Sequence, residues 1–449
     1  MRRKIAGGRI FDPASGRRGE TGDLYLDGER LVPPLEEVDE VLEAHGQAVL
    51  AAGVELRAPL WGFGGHLLHL RGEALPPEQV GELYARLGYT HVHAGGVTVA
   101  TAAAMHRHLA ALRVVDASAS LEVNLRDLDL ALKDPARLPE VAQTLCLLQA
   151  RTRTLGLSVA EPFVRYRQDY YAHRTLPGPQ ALEVLAALAA GLGCRLFLEA
   201  FLELLSWPLP EPERFHLGGL SRALVGEAEA EAAARLLGEG ATGDLGLCLP
   251  GPASLPVWVE VGGFAPRCLN ARPGPEEVKR ARKLALDFPC RGLAFSTLGP
   301  LSRLEEDFPR LLTWLGGPDH RPPVRNAAPD PRGWTLFDWA YATRFLPAEL
   351  LGLRDRGRLT PGARADIALY DLPPDGRLDG LARCRTLIKA GRVVIRDFVL
   401  VAPEVPRQIL FRQAEAAETR LFRELSRAFS FRPETLWSLE RLGGPWAEV

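Results

Sequence analysis

The feature that most limits what this chain can fold into is a change of texture along its length. Roughly the first 55 residues read as short strands joined by tight turns. KIAGGRIFD, DLYLDGERLV and QAVLAAGVEL carry alternating apolar residues, and Asp27-Gly28, between DLYL and RLV, is a hairpin signal. From about residue 56 to about 345, helical stretches such as PPEQVGELYARLG and PEEVKRARKLAL alternate with short apolar runs. Those runs include YTHVHAGG, LEVNL, RLFLEAF, GDLGLCL, VWVEVGG and GLAFST. After the helical TLFDWAYATRFLPAELLGL the strand texture returns in GRLTPGARADIALYDL and TLIKAGRVVIRDFVLV, with Ala390-Gly391 as a turn.

Strands separated by helices argue for βαβ units and a parallel sheet. With roughly eight such runs the expectation is a closed (β/α)8 barrel, and an open doubly wound sheet is its competitor. No G-x-G-x-x-G follows a strand, so a dinucleotide fold has no support. The simplest packing joins the two β ends into one composite β-sandwich domain. The expected division is residues 1–55 plus 350–402 for that domain, 56–349 for the barrel, and 403–449 for a C-terminal helical tail that includes AEAAETRLFRELSRAF.

A chain of 449 residues, 47% of them hydrophobic, can bury a core without staples. Its net charge of −2, with no basic stripe, gives no reason to expect a nucleic-acid partner. No apolar leader follows the basic start and no apolar run is long enough to span a bilayer, so no membrane partner is expected. The six Cys form no C-x-x-C pair, which fits buried thiols in a reducing cytoplasm.

Four stretches carry a resemblance to a known family: IFDPASGRRGETGDLYLDGERLV, LYARLGYTHVHAG, TLFDWAYATRFLPAELLGLRDRGRLTPGARADIALYDL and RLFRELSRAFSFRPETLWSLERL. GRLTPGARADI resembles the C-terminal signature of amidohydrolase-superfamily enzymes. More narrowly, the chain resembles the family formed by the A subunits of formylmethanofuran dehydrogenase and of the bacterial formyltransferase/hydrolase complex. The resemblance spans nearly the whole chain, although the chain is shorter than the family expectation, which implies trimmed loops. It implies an amidohydrolase-type α/β barrel with the composite β domain, and a place in one-carbon formyl metabolism.

The same resemblance implies a metal site, and this sequence departs from it. Such a barrel takes His nitrogens and carboxylate oxygens around one or two metal ions. Where the family's first His-x-His stands, this chain has Arg57 and Pro59, with Glu55 at the usual Asp. A guanidinium has no lone pair to offer and Pro has no ligand side chain. Ser158 stands at the carboxylated Lys, Leu196 and Leu198 at the next His-bearing strand, Gly219 at a further His, and Leu298 at the final Asp. His216 is kept. A guanidinium at position 57 could replace the metal's charge by pairing with Glu55 or another carboxylate; an ordinary surface Arg is the bland alternative.

His91 and His93, two apart on a strand, could face one way and form half of a relocated site, although ordinary polar packing is the better reading of them. His106 and His108 on a helix do not face together, whereas His66 and His69 could. The residual pocket is therefore expected from Glu55, Arg57, His91, His93 and His216, with no catalytic residue assigned and no metal expected. Three functions remain open. One is a metal-free scaffold whose partners are the other subunits of a formyl-transfer complex, with room for a methanofuran-like or pterin ligand. Another is an active amidohydrolase cleaving an N-formyl or similar C–N bond with zinc. The last is a barrel repurposed to bind a small molecule.

Overall fold

A computed structural model describes residues 1–60, 75–123, 128, 131–159, 178–199, 205, 209–246, 258–259, 267–268, 274–297, 303–316, 333–372, 378–413, 416–428 and 444–449. His66, His69 and Leu298 lie outside the described residues.

The strand-like ends do come together. β1 (Arg2–Asp12), β2 (Arg17–Asp27), β3 (Arg30–Val32), β4 (Glu40–Glu43) and β5 (Gln47–Ala51) share one nine-stranded sheet with β16 (Ile367–Asp371), β17 (Thr386–Lys389), β18 (Arg392–Arg396) and β19 (Val399–Leu400). The join is the antiparallel pairing of β5 with β16, from Ile367↔Ala51 to Asp371↔Gln47. The Leu31 N–H bonds to Ala363 O at 2.9 Å and curls the β3 edge back toward the segment before β16. Period-two alternation sorts the side chains. Ile5, Ile10, Leu26, Val49, Ile367 and Ile388 fill a core within this sheet, while Ala48, Leu50, Ala368, Tyr370 and Leu387 face the main core.

The barrel follows directly from β5. Its parallel strands are β6 (Gly53–Ala58), β7 (Tyr89–Val97), β8 (Asp116–Glu122), β9 (Gly156–Val159), β10 (Leu196–Glu199), β11 (Phe215–Gly218), β12 (Thr242–Asp244) and β15 (Leu293–Ala294), each paired to the next. Helices α1 (Pro77–Arg86), α2 (Ala102–Ala111), α3 (Leu138–Thr152), α4 (Gly178–Gly191), α5 (Glu227–Gly238), α6 (Pro275–Asp287) and α7 (Leu304–Leu315) intervene. Pro at the first turn of α1 and α6, with Glu78, Glu276 and Glu277 there, starts these helices where a missing N–H costs nothing. α8 (Leu336–Ala340) opens on a Thr335/Asp338 capping box and runs through a π-turn, Tyr341–Phe345, into Leu346–Leu350.

Two expectations change. Within VWVEVGG the described residues do not join the barrel sheet: among the described residues β13 (Trp258–Val259) pairs with β14 (Arg267–Cys268) in a separate two-stranded sheet. The tail is also more than a helix. α9 (Arg420–Ala428) packs on α3, but β20 (Ile409–Phe411) and β21 (Trp446–Glu448) extend the barrel sheet from β8.

Buried charges hold the barrel floor to the composite sheet. Lys389 Nζ lies 2.6 Å from Asp116 Oδ1 and donates to Val114 O at 2.6 Å and Pro406 O at 2.9 Å. Three acceptors match the three ammonium hydrogens. Arg356 reaches Asp116 at 2.6 Å and Asp366 at 3.3 Å. Burial pushes the Asp116 carboxyl up, but Lys389 and Arg356 outweigh it and hold the group far below the usual carboxylate range.

Candidate functional site: the polar interior of the barrel

The interior of a barrel of this kind is ordinarily filled by branched apolar side chains. Here it is lined by hydrogen-bonding ones. Register explains which residues meet: His93 pairs with Ser118, Phe197 with both Ser158 and His216, and His216 with Thr242, so these side chains share the inner face. His91 Nε2 and His93 Nδ1 both bond to Ser118 Oγ, at 2.8 and 2.7 Å, and His93 Nε2 bonds to Ser120 Oγ at 2.9 Å. Burial, with Arg57 and His216 nearby, drives the His93 imidazole down to about 3, and burial likewise drives His91 well below its ordinary value. Both are neutral at physiological pH.

Across the interior, His216 Nε2 lies 3.2 Å from Asp244 Oδ2 and its Nδ1 lies 3.1 Å from Thr242 Oγ1. An ionised Asp244 only accepts, so Nε2 carries the proton and Nδ1 accepts from the Thr242 hydroxyl. Ser296 Oγ donates to Asp244 Oδ1. Burial pushes the Asp244 carboxyl up, but Arg57, His216 and Ser296 outweigh it and keep it below the ordinary value. The ring of Phe197 lies 4.7 Å from His216 and 6.3 Å from His93 between centroids, separating the two polar groups.

Arg57 crosses the mouth. Its Nη1 is 3.7 Å from Asp244 Oδ2. Its side chain lies so close to β11 that a Cβ on Gly218 would overlap Nη1 and sit 2.6 Å from Cζ. The sequence offered Glu55 or another carboxylate as its partner; among the described residues the ion pair is with Asp244. Glu55 instead accepts the Arg57 backbone N–H at 2.9 Å and, from Thr297, the N–H at 3.0 Å and the hydroxyl at 2.8 Å. Among the described residues no backbone ladder joins β15 to β6, so this carboxylate spans the seam between the last strand and the first. Burial pushes Glu55 up to about 7 despite those bonds.

The sequence-derived positions therefore separate. Glu55, Arg57, His93 and His216 converge on the interior, and His91 lies one layer below, beside Ser118. Ser158 is buried at the mouth, 3.4 Å from Leu121 O. Pro59 follows the end of β6 and is half-buried. Gly219 takes a left-handed φ of 69° after β11. Leu196 and Leu198 belong to the main apolar core, and Phe197 between them faces the polar interior. His106 bonds to Thr152 O and packs on Trp446. Sequence reasoning passed over Asp244, Ser118, Ser120, Ser296 and Thr297. The i, i+2 serines of DASAS were the available signal.

A metal does not fit these residues. Both nitrogens of His93 and of His216 are engaged, the side chain at position 57 is a cation, and position 158 offers only a hydroxyl. Among the described residues no group of three or more His, Cys, Asp or Glu is placed to hold an ion.

No known family profile matches the chain. The A subunit of the formyltransferase/hydrolase complex of Methylorubrum extorquens is 25% identical over 90% of this chain and 90% of its own length. The chain is a relative of that protein. The crystal structure of the Methylorubrum extorquens formyltransferase/hydrolase complex with methylofuran contains a similar chain at TM-score 0.83 and 22% identity, covering 100% of this chain and 99% of that one. The zinc complex of atrazine chlorohydrolase from Arthrobacter aurescens aligns at TM-score 0.54 and 15% identity over 89% and 96%. A β-aspartyl dipeptidase from Fervidobacterium islandicum aligns at 0.52 and 15% over 89% and 98%. This chain thus has the amidohydrolase-type (β/α)8 fold with an added β-sheet unit.

Proposed function

We propose that this chain is the counterpart of that A subunit in a complex that handles formyl groups in one-carbon metabolism, and that it acts there as a metal-free, non-catalytic scaffold. The likeness to the Methylorubrum extorquens protein along nine-tenths of both chains carries the first part. The second rests on the interior chemistry. Hydrolysis in such a barrel needs an ion to polarise a carbonyl and acidify water, and the inner face presents Arg57 with His93 and His216, whose ring nitrogens are already engaged. Its partners on this reading are the other subunits of a formyltransferase/hydrolase-type complex. A methylofuran-like carrier or a pterin is the ligand class to test. The site of action is the cytoplasm, with neither membrane nor nucleic acid involved; no helix among the described residues is long and apolar enough to cross a membrane. We further assign residues 1–55 with 350–402 to the composite unit, 56–349 to the barrel and 403–449 to a tail that also lends strands to the barrel sheet.

Co-expression with the neighbouring formyltransferase-type subunits, followed by size-exclusion chromatography, plasma mass spectrometry and a formamide-hydrolysis assay, tests this reading. Co-elution with the partners, no stoichiometric zinc on this chain and no formate release are expected. One or two zinc ions per chain with turnover would replace the scaffold by an active amidohydrolase. Failure to co-elute would remove the complex.

A further inference from the structure

We propose that the Arg57 guanidinium is a built-in substitute for a metal ion, so that the barrel mouth is folded around a planar organic cation seated on Asp244. This deepens the metal-free reading and rests on it.

The first support is shape. The Arg57 side chain leaves β6, passes β7 and ends against β11. A Cβ on Gly95 would stand 3.4 Å from Nε and 3.7 Å from Cγ, and one on Gly218 would stand 2.6 Å from Cζ and 3.2 Å from Cδ. Neither glycine has a positive φ, so neither backbone calls for glycine on its own account. A side chain at Gly218 would occupy the space the guanidinium fills, and Gly95 borders that space at van der Waals distance.

The second support is charge. Asp244 is fully buried and ionised, and a buried carboxylate without a counter-charge is expensive. Its other partners, His216 and Ser296, donate hydrogen bonds and no charge. His216 is held neutral by burial. Arg57 Nη1, at 3.7 Å, supplies the positive charge in this group.

The third support is donor chemistry. Among the described residues the Asp244 oxygens are already taken up by Arg57, His216 and Ser296, and a guanidinium offers a divalent ion no lone pair. Position 57 therefore does more than lack a ligand: its occupant fills the space that the ligand's loss would leave.

Thermal melts of the full-length chain test the inference. For the wild type, neither zinc nor methylguanidinium at low millimolar concentration should move the melting temperature. Arg57→Ala should melt lower, and methylguanidinium should restore part of the loss where methylammonium and zinc do not. If Arg57→Ala does not fold, Gly218→Ala gives the same information with both charges still present. It should melt lower because its methyl group displaces the guanidinium, and Arg57→Lys should not compensate for it. Zinc raising the melting temperature of the wild type, zinc rescuing Arg57→Ala as well as methylguanidinium does, or Gly218→Ala melting with the wild type would each overturn the proposal. The complex reading fails separately. A chain that shows the rescue but binds no partner keeps this inference and loses that one, and a zinc-loaded chain that joins its partners does the reverse.

Discussion

Replacing Lys389 by Met removes a buried ammonium from the barrel floor while keeping much of the side chain's volume. The ammonium sits 2.6 Å from Asp116 Oδ1, and at an effective dielectric of about 20 that attraction is roughly 6 kcal/mol. The variant no longer has to desolvate an ammonium, which returns part of this. It also strands the carbonyls of Val114 and Pro406, which each lose a donor. Asp116 keeps Arg356 at 2.6 Å and the Gln408 N–H at 2.8 Å, so its charge is under-compensated rather than abandoned. Breaking one side of a buried pair typically costs about 3–5 kcal/mol, and that is the expected loss. Against a typical total stability of roughly 5–15 kcal/mol, the variant should remain folded with a much lower urea midpoint. Urea unfolding of Lys389→Met, Asp116→Ala and the double variant forms a cycle in which the double change should cost clearly less than the sum. A single-variant loss under about 1 kcal/mol, or full additivity, would refute the view that this pair fastens sheet to barrel.

Three smaller tests follow from other contacts. Glu55 is raised from 4.5 to about 7 in the fold, so its stabilising share is fully present below about pH 4.5 and is lost as pH rises through about 7. Relative to Glu55→Gln, the wild type should lose roughly 3 kcal/mol across that window, measured by urea midpoints at several pH values; parallel pH curves for the two proteins would contradict this. Gly391→Ala would drive a methyl group into the Gly28 carbonyl, with its carbon only 2.9 Å away, at a φ of 72°, and should cost more than about 1 kcal/mol in thermal unfolding. Thr335→Ala removes the hydroxyl that accepts the Asp338 N–H at 3.2 Å and should cost about 1 kcal/mol in the same assay.

The alternation of KIAGGRIFD and IALYDL was enough to anticipate strands at both ends, because their apolar residues fall on every second position and the sheet buries them that way. Asp27-Gly28 and Ala390-Gly391 were legible as turns for the same local reason. That these two turns meet, with the Gly391 Cα against the Gly28 carbonyl, was not legible, since nothing local encodes a contact between them. Trp258 and Val259 misled because a short apolar run reads alike in a barrel and in a two-stranded sheet. At the site, Arg57 was recognisable as a cation where a ligand was expected, yet its partner was not. Asp244 lies on a strand of three residues, too short for alternation to reveal which side it faces. Leu196 and Leu198 were placed through the family resemblance, whereas in the sheet it is Phe197 between them that faces inward, a one-residue difference in register.

The pairing of β5 with β16 also bears on how the chain acquires its structure. Ala51 finds Ile367 across roughly three hundred intervening residues. During synthesis, β1 to β5 leave the ribosome long before β16 to β19 exist, and β5 must wait with an open edge while the whole barrel is made. Separations of this size raise contact order and slow folding, and an unpaired apolar strand invites association with other chains. The Arg396–Glu40 ion pair at 2.9 Å, which adds β18 to the earlier Arg3–Glu40 link between β1 and β4, then becomes a late closing step. The nascent protein should depend on a chaperone, or on early capture by a partner, most strongly in the interval between finishing the barrel and closing that sheet.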